Sequence, residues 1–364
     1  MSQHTHDDHD YTHDHPNPDH HDEPPGLLAR LRKARTRSHG HAPAALDAAL
    51  STERGIWALK VSLAGLMVTA LFQVIVVAVS GSVALLADTI HNFSDALTAL
   101  PLWLAFTLSR RVRNRRFTYG YGRAEDLAGA FVVIMIFASA VVVFAESIDK
   151  IAYPQPVAHL GWVAAAAVIG FLGNELVALF RIRIGRAIGS AALIADGLHS
   201  RADGFTSLGV LIGAIGVALG YPLVDPIVGI AIGIVILSIG WGAVREIGYR
   251  LMDAVDPQLR DQIERTAARV PGVLAVHDVA ARWVGHRQWA ELNIDVDGQL
   301  TTTESHAIAE EVRHALFHTL PALVETTVHV DPIGIHAGDA HETTQHHRPA
   351  RSTNVDQGRK TKGE

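Results

Sequence analysis

Six apolar runs between residues 56 and 244 constrain the fold of this chain more than any other feature. A bilayer core of about 30 Å is crossed by roughly 20 apolar residues of helix, which is the length of these runs. Buried helices of a large soluble protein are the alternative, but these usually carry a polar stripe. The run from Leu127 to Ala145 has no charge on any face, so we predict an α-helical polytopic membrane protein. The predicted spans are Ile56–Val79, Val83–Leu108, Leu127–Ala145, Leu160–Phe180, Ala187–Leu219 and Leu223–Val244.

Basic residues flank the predicted spans on one side only. They cluster at residues 30–37 before the first span, at residues 110–123 after the second and at residues 181–186 after the fourth. The three other loops contain a single lysine, Lys150. Because loops rich in arginine and lysine stay in the cytoplasm, both termini are predicted to be cytoplasmic.

The two ends of the chain are polar and rich in histidine. Residues 1–25 contain seven histidines and seven acidic residues, a composition that cannot bury a core. We therefore predict a disordered, His-rich and basic tail over residues 1–54 and a second disordered tail over residues 336–364. Loose buffering of divalent cations by these tails and a dispensable role are both left open. The membrane domain is predicted to cover residues 55–247.

Residues 248–335 carry the patterns of a small folded cytoplasmic domain. Helical spacing and strand alternation follow one another in the order αββαβ, and the second helix has Thr and Glu at its start. This order resembles a ferredoxin-like α+β domain that lacks its first strand, a shape that often pairs with a second copy. The predicted elements are helix Pro257–Val270, strands Val273–Trp283 and Arg287–Val296, helix Thr301–Thr319 and strand Val324–Val330.

Ionisable residues within the predicted spans are concentrated in spans two and five. Each costs about 2.5–3.5 kcal/mol at mid-membrane on insertion scales, so they indicate a function or a partner. Residues 84–100 align with residues 192–208 without a gap, and eight of the seventeen positions are identical. Since the two spans cross in opposite directions, the related elements would meet near the midplane, where transporters place their sites. The matched ionisable residues are Asp88 with Asp196, His91 with His199, and Asp95 with Asp203.

The spacing of these residues predicts a metal site. His91 and Asp95 are four residues apart and therefore share one helix face, as do His199 and Asp203. The chain has no cysteine, so a metal must meet imidazole nitrogen and carboxylate oxygen, and two of each suit tetrahedral Zn²⁺. Two ionised aspartates would also neutralise the cation. Buried polar groups that only lock helices together are the alternative, which the duplicated pattern disfavours.

Other ionisable residues in the spans allow several interpretations. Asp88 and Asp196 each precede a histidine by three residues. They would orient its imidazole, line the approach of the ion or hydrogen-bond a neighbouring helix. Arg201 has no partner that the sequence identifies. Glu175 and Asp225 lie nearer the ends of their spans, which favours structural hydrogen bonds.

Four further segments, together with the paired His-x-x-x-Asp pattern, resemble the cation diffusion facilitator family of proton-coupled exporters of zinc and other divalent metals. The resemblance covers residues 56–335. It implies a homodimer whose cytoplasmic domains pair, with metal bound between spans two and five and exchanged for protons by alternating access. The four segments are Arg116–Glu125, Leu251–Asp253, the stretch from Pro271 to Asp278, and Val328–Pro332.

The resemblance also implies roles for individual residues. The four His and Asp residues of spans two and five match the transport site, in the form that members associate with zinc. Arg123 and Asp253 match a charge pair that ties span three to the base of the cytoplasmic domain. A zinc site at the dimer interface is implied too, although Asn293 stands where a further histidine is expected, so the number of structural ions is left open. The residues that match the interface site are His277, His306, His329 and Asp331.

Two alternatives to a zinc exporter stay open, and a third is disfavoured. The same ligands could select Co²⁺, Ni²⁺, Cd²⁺ or Fe²⁺, because geometry more than affinity discriminates within the first transition row. A metal sensor would bind the ion without moving it. An intramembrane hydrolase needs an open coordination position, whereas four protein ligands close the zinc, so we expect no enzyme.

Two features bear on location and partners. The loop at residues 181–186 lacks the long histidine-rich insert of many eukaryotic members, which favours a bacterial plasma membrane. The formal net charge of −6, with basic residues only in local clusters, gives no argument for nucleic-acid binding. The expected partners are the lipid bilayer, divalent metal ions, protons and a second copy of the chain.

Overall fold

The computed structural model describes residues 44–80, 99–152 and 160–333. Five of the described helices are long and apolar enough to span a membrane, and a shorter apolar helix, α2, forms the described part of the second predicted span. The chain is therefore an α-helical multi-pass membrane protein, which confirms the expectation from hydropathy. These helices are α1 (Ala44–Ser80), α2 (Ala99–Ser109), α3 (Arg123–Ala152), α4 (Leu160–Ile188), α5 (Ala191–Ala218) and α6 (Val224–Leu251).

Several predictions fall outside the described residues. They concern both histidine-rich ends, the larger part of the second span, and the residues Asp88, His91 and Asp95. The first described helix begins at Ala44, inside the segment 1–54 that was expected to be a tail. Alanine and leucine dominate residues 44–50, and both favour helix strongly, so the helix starts before the apolar span itself.

The fourth helix is longer than predicted. Residues 181–186, expected to form a loop, are part of the last turns of α4; arginine favours helix, so a basic run does not by itself end one. The chain turns at Gly189, whose φ of +72° lies in the left-handed region that favours glycine. Ser190 then caps α5, which starts four residues later than predicted. Arg181 consequently lies inside the helix bundle and is 1% exposed.

Glycine allows α4 and α5 to approach closely. A Cβ atom added at Gly197 of α5 would lie 3.1 Å from the carbonyl oxygen of Ala178 in α4 and 2.7 Å from Cγ1 of Ile182. In membrane bundles, small residues at such contacts let the backbones of two helices pack closely against each other. The contact draws the polar face of α5 into the interior of the bundle.

The C-terminal domain has the predicted order αββαβ. β1 pairs antiparallel with β2, and β2 pairs parallel with β3, so the sheet order is β1–β2–β3. The core between sheet and helices includes Ile263, Leu292 and Leu316, each at most 1% exposed. Thr301 and Glu304 form a capping box, and its hydrogen bonds lower the pKa of the Glu304 carboxyl. The elements are α7 (Pro257–Ala267), β1 (Ala275–Val284), β2 (Arg287–Asp297), α8 (Thr302–Thr319) and β3 (Leu323–Ile333).

Candidate metal sites

α5 carries His199 and Asp203 on one buried face. The side chains are four residues apart and are 1% and 5% exposed, and Nδ1 of His199 lies 3.8 Å from Oδ1 of Asp203. Alanines of α5 such as Ala195 and Ala202 pack into the core of the bundle around them. An imidazole and a carboxylate within one turn supply two donor atoms of the kinds that bind divalent transition metals. Their predicted counterparts in the second span lie outside the described residues.

Asp196, one turn before His199, forms a buried ion pair with α4. Its Oδ2 lies 3.0 Å from a terminal nitrogen of Arg181, and the two side chains are 0% and 1% exposed. Arg181 also donates hydrogen bonds to the hydroxyls of Ser62 and Ser200, each at 2.9 Å. The charge of Asp196 is therefore balanced by a cation of a neighbouring helix, and contact with a neighbouring helix was one of the three interpretations that the sequence left open for Asp196.

Two further ion pairs involve residues whose partners the sequence left undefined. Arg201 of α5 forms a two-pronged contact with Glu175 of α4, with nitrogen–oxygen distances of 2.8 and 3.1 Å. Asp225, at the start of α6, lies 2.9 Å from the amine of Lys150 at the end of α3. Both contacts join neighbouring helices, and sequence periodicity does not predict such pairs because it describes only one helix at a time.

A second cluster of His and Asp side chains lies on the exposed face of the sheet in the C-terminal domain. Donor atoms of His277, Asp295 and Asp331 all lie within 4.8 Å of one another. Nε2 of His277 is 3.1 Å from Asp295 and 3.3 Å from Asp331, and Nε2 of His329 is 3.1 Å from Asp331. Three of the four residues expected at an interface site are thus brought together.

The sheet register explains both the cluster and its new member, Asp295. His277 pairs with Asn293 across β1 and β2, and Asn293 pairs with His329 across β2 and β3. Asp295 lies two residues beyond Asn293, on the same face, and pairs with Asp331. The sequence signal for Asp295 was the alternation of polar and apolar residues along β2. This alternation places Asp295 on the same face as Asn293, the position where a further histidine was expected.

His306 lies apart from this cluster in the single chain. It is exposed near the start of α8 and lines a separate cavity of about 420 Å³ together with Val328 and Val330. Val328 and Val330 alternate along β3 with His329 and Asp331, so they point to the opposite face of the sheet. Within the described residues of one chain, His306 and His277 therefore do not form a joint site.

Arg123, at the start of α3, contacts Asp253, two residues beyond the end of α6. The guanidinium of Arg123 pairs with the Asp253 carboxylate and also donates a hydrogen bond to the carbonyl oxygen of Arg250 at 2.8 Å. Asp253 has a positive φ of 58°, which is uncommon for a residue other than glycine. The two residues lie where the membrane helices meet the C-terminal domain.

Comparison with protein families assigns both parts of the chain. Residues 59–252 match the family model of the cation efflux transmembrane domain, and residues 255–333 match that of the cation efflux protein cytoplasmic domain. A Mycobacterium tuberculosis protein named "Probable cation efflux system protein" is 53% identical over 295 residues, which are 81% of this chain and 89% of that protein.

More distant relatives have different names. The magnetosome protein MamB of Magnetospira sp. is 29% identical over 71% of this chain and 88% of its own length. The manganese efflux system protein MneS of Bacillus subtilis is 25% identical over 75% of this chain and 94% of its own length. A solved cadmium form of the MamM CTD is 32% identical and covers 21% of this chain and 98% of its own, with a TM-score of 0.21. The chain belongs to the cation efflux family, whose members are membrane transporters that export divalent metal cations and are not enzymes.

Proposed function

We propose that this protein exports Zn²⁺ in exchange for protons, with the ion held between the second and fifth spans by His91, Asp95, His199 and Asp203. The observation that carries the proposal is the buried His199–Asp203 pair on α5. Ionisable groups at this depth are unfavourable unless they serve a partner or a function. The gapless match between the two spans supplies the same pair of residue types a second time.

Charge balance supports a divalent cargo at this site. Asp196 is already neutralised by Arg181, so the charge of the cation is to be matched by Asp203 and by Asp95. Two nitrogen and two oxygen donors suit the tetrahedral preference of Zn²⁺, whereas Mg²⁺ and Ca²⁺ prefer more oxygen ligands. The complex of ion and ligands would then carry no net charge as it crosses the low-dielectric interior.

Proton exchange follows from the ligand chemistry. Histidine must be neutral to bind a metal and ordinarily titrates near pH 6.5, so protons and the cation compete for the same nitrogen. A site that opens alternately to the two sides would load metal on one side and protons on the other. His91 and His199 are the proposed proton carriers, and the protein is proposed to lie in the plasma membrane with both termini in the cytoplasm.

Flux measurements test the cargo and the coupling together. In vesicles that hold the purified protein, we expect Zn²⁺ to move out of the cytoplasmic side, faster when a pH gradient drives protons the opposite way. A panel of Co²⁺, Ni²⁺, Cd²⁺, Fe²⁺ and Mn²⁺ decides the selectivity. The panel is needed because the same ligands bind several transition metals and one relative is named a manganese efflux system protein. Metal binding without flux would contradict transport and favour a sensor, and flux indifferent to the pH gradient would contradict proton coupling.

The C-terminal domain is proposed to pair with a second copy and to hold a resident divalent ion. One imidazole nitrogen and two carboxylates converge at His277, Asp295 and Asp331, and His329 contacts Asp331 from β3. These donors fit Zn²⁺ and also metals that favour oxygen ligands. A second chain would complete the coordination at the paired surface.

Binding by the isolated domain should depend on Asp295. In a fragment of residues 250–335, we expect Asp295→Asn and His329→Ala each to weaken Zn²⁺ binding at least about tenfold. Asp295→Asn removes a carboxylate of the cluster, and His329→Ala removes the imidazole that contacts Asp331. Competition with a chelating dye measures the affinity, and the fragment avoids the tail histidines. Asp297→Asn, two residues further along the same strand, is the matched control and should keep the wild-type affinity. Equal affinity of Asp295→Asn and wild type would exclude Asp295 from the site.

A further inference from the structure

The tip of the β1–β2 hairpin is inserted between the ends of the membrane helices. His286, at the tip, is 3% exposed. Its Nδ1 lies 2.7 Å from Oε2 of Glu125 at the start of α3, and its Nε2 lies 3.1 Å from the hydroxyl of Thr52 in α1. The imidazole also stacks near the ring of Phe106 in α2, at a centroid distance of 5.7 Å. One side chain of the C-terminal domain thus contacts three membrane helices.

Glu125 continues this contact to the start of α5. It is 1% exposed, and its second oxygen, Oε1, accepts a hydrogen bond from the hydroxyl of Ser190 at 2.5 Å. The same hydroxyl accepts a hydrogen bond from the backbone N–H of Leu193 and so caps α5. Because a buried carboxylate is strongly unfavourable without hydrogen-bond donors, Glu125 holds both the hairpin tip and the cap in place.

Arg250, at the end of α6, makes a parallel connection. Its guanidinium donates hydrogen bonds to the carbonyl oxygens of Gly189, in the α4–α5 turn, and of Gly285, in the hairpin, at 2.9 and 3.0 Å. It also lies over the ring of Trp283 at 4.4 Å. The turn that begins α5 is therefore attached to the hairpin through two adjacent residues, Gly189 and Ser190.

Close backbone contact leaves the hairpin tip little freedom to shift. A Cβ atom at Gly122 would lie 2.9 Å from the carbonyl oxygen of Val284, and one at Gly285 would lie 2.9 Å from that of Gly122. Gly285 also has a φ of +63°, which favours glycine. A displacement of the hairpin therefore has to move the helix ends that contact it.

We propose that His286 is a positioning residue for transport: through Glu125 and Ser190 it sets the position of α5 and hence of His199 and Asp203. The inference rests on the proposed function of that pair as the transport site. Ser190 precedes His199 by nine residues, which is about 13.5 Å of helix at 1.5 Å per residue. Since α5 is a continuous helix, a shift of its first turn carries the two ligands with it.

The half-saturating metal concentration of transport, KM, is the quantity that tests positioning. A displaced α5 misaligns its two ligands against those of the second span, and misplacements of about 1 Å can change rates about 100-fold. We expect His286→Ala to raise KM about tenfold in proteoliposomes of the full-length chain, with rates divided by the amount of folded protein. His286→Asn retains an amide donor near the position of Nδ1 and should return KM to within about threefold of wild type.

Two further variants define the path and the control. Ser190→Ala should raise KM as well, and the double variant with His286→Ala should match the larger single effect within about twofold, since both act through Glu125. Arg113→Ala is the matched control. It removes another connection to the C-terminal domain, the 2.8 Å ion pair with Glu325, and should leave KM within about twofold of wild type.

Each outcome of these measurements decides the proposal. An unchanged KM with a lower maximal rate in His286→Ala would mean a merely structural role, and independent, multiplying effects of the two single changes would exclude a shared path. If His286→Ala does not fold, the KM values of His286→Asn and Ser190→Ala decide, and wild-type values in both would overturn the proposal. His199→Ala is measured in the same assay. Full activity of this variant would contradict the proposed transport site. If His199→Ala is inactive but KM is unchanged in the His286 and Ser190 variants, only the positioning role of His286 is contradicted.

Discussion

Replacement of Asp203 by alanine should abolish metal export while the protein still folds. The change removes one of the proposed ligands and one of the negative charges proposed to neutralise the cation. A divalent ion left with a net charge in the membrane interior is strongly disfavoured, because the low dielectric there magnifies every uncompensated charge. We expect the initial rate of Zn²⁺ flux in proteoliposomes to fall at least about 100-fold, beyond the 10–100-fold typical when only a supporting residue of a metal site is lost.

Asp225→Asn is the control for this experiment. It also removes a carboxylate from a spanning helix, but Asp225 is paired with Lys150 at 2.9 Å at the end of the bundle. We expect this variant to keep a rate near that of wild type, and His199→Ala to behave like Asp203→Ala. Export by Asp203→Ala at the native rate would exclude Asp203 as a ligand, and the assignment of α5 as half of the site would fall with it.

The architecture was predictable because it depends on patterns that a single element carries by itself. Apolar length identifies a spanning helix, since every backbone polar group must be paired within the membrane. Strand alternation and the Thr301–Glu304 capping box likewise act locally, and the order αββαβ of the C-terminal domain was confirmed. Two helix boundaries were exceptions: α1 begins at Ala44, inside the segment expected to be a tail, and α4 continues through the basic run that was expected to be a loop, although arginine favours helix.

The charge partners were less predictable, since they depend on contacts between elements. Arg181 was counted with a basic loop, yet it is buried against Asp196. The choice of Glu175 as the partner of Arg201 depends on how α4 and α5 are rotated about their axes. His286 carries no local signal for its contact with Glu125, which is 161 positions away in sequence.

Asp196 and Asp203 are two carboxylates of the same helix to which we assign different roles. Both are buried in α5 and are seven residues apart, which is about two helical turns. Asp196 has a permanent protein cation as its partner, because arginine does not lose its proton under ordinary conditions. We therefore regard Asp196 as a fixed element of the α4–α5 contact, whereas Asp203 is the carboxylate of α5 that the proposed function assigns to the metal.

Loss of Arg181 should destabilise the helix bundle more than loss of any exposed ion pair. Arg181→Met would leave Asp196 buried without its cation and the hydroxyls of Ser62 and Ser200 without their donor. Breaking a buried pair by removal of one partner costs about 3–5 kcal/mol in the free energy of unfolding, because the remaining charge is uncompensated. A marked fall in the thermal unfolding midpoint of the detergent-solubilised protein would report this loss.

Two comparison variants separate charge from packing in this experiment. Arg110→Met breaks the exposed 2.9 Å pair with Glu53 and should change stability by no more than about 1 kcal/mol. The double variant Arg181→Met/Asp196→Leu removes both buried charges, so it should recover most of the stability lost by Arg181→Met alone. A midpoint for Arg181→Met equal to that of Arg110→Met would contradict a buried ion pair. A double variant as unstable as the single one would mean that packing of the arginine stem, and not its charge, holds α4 against α5.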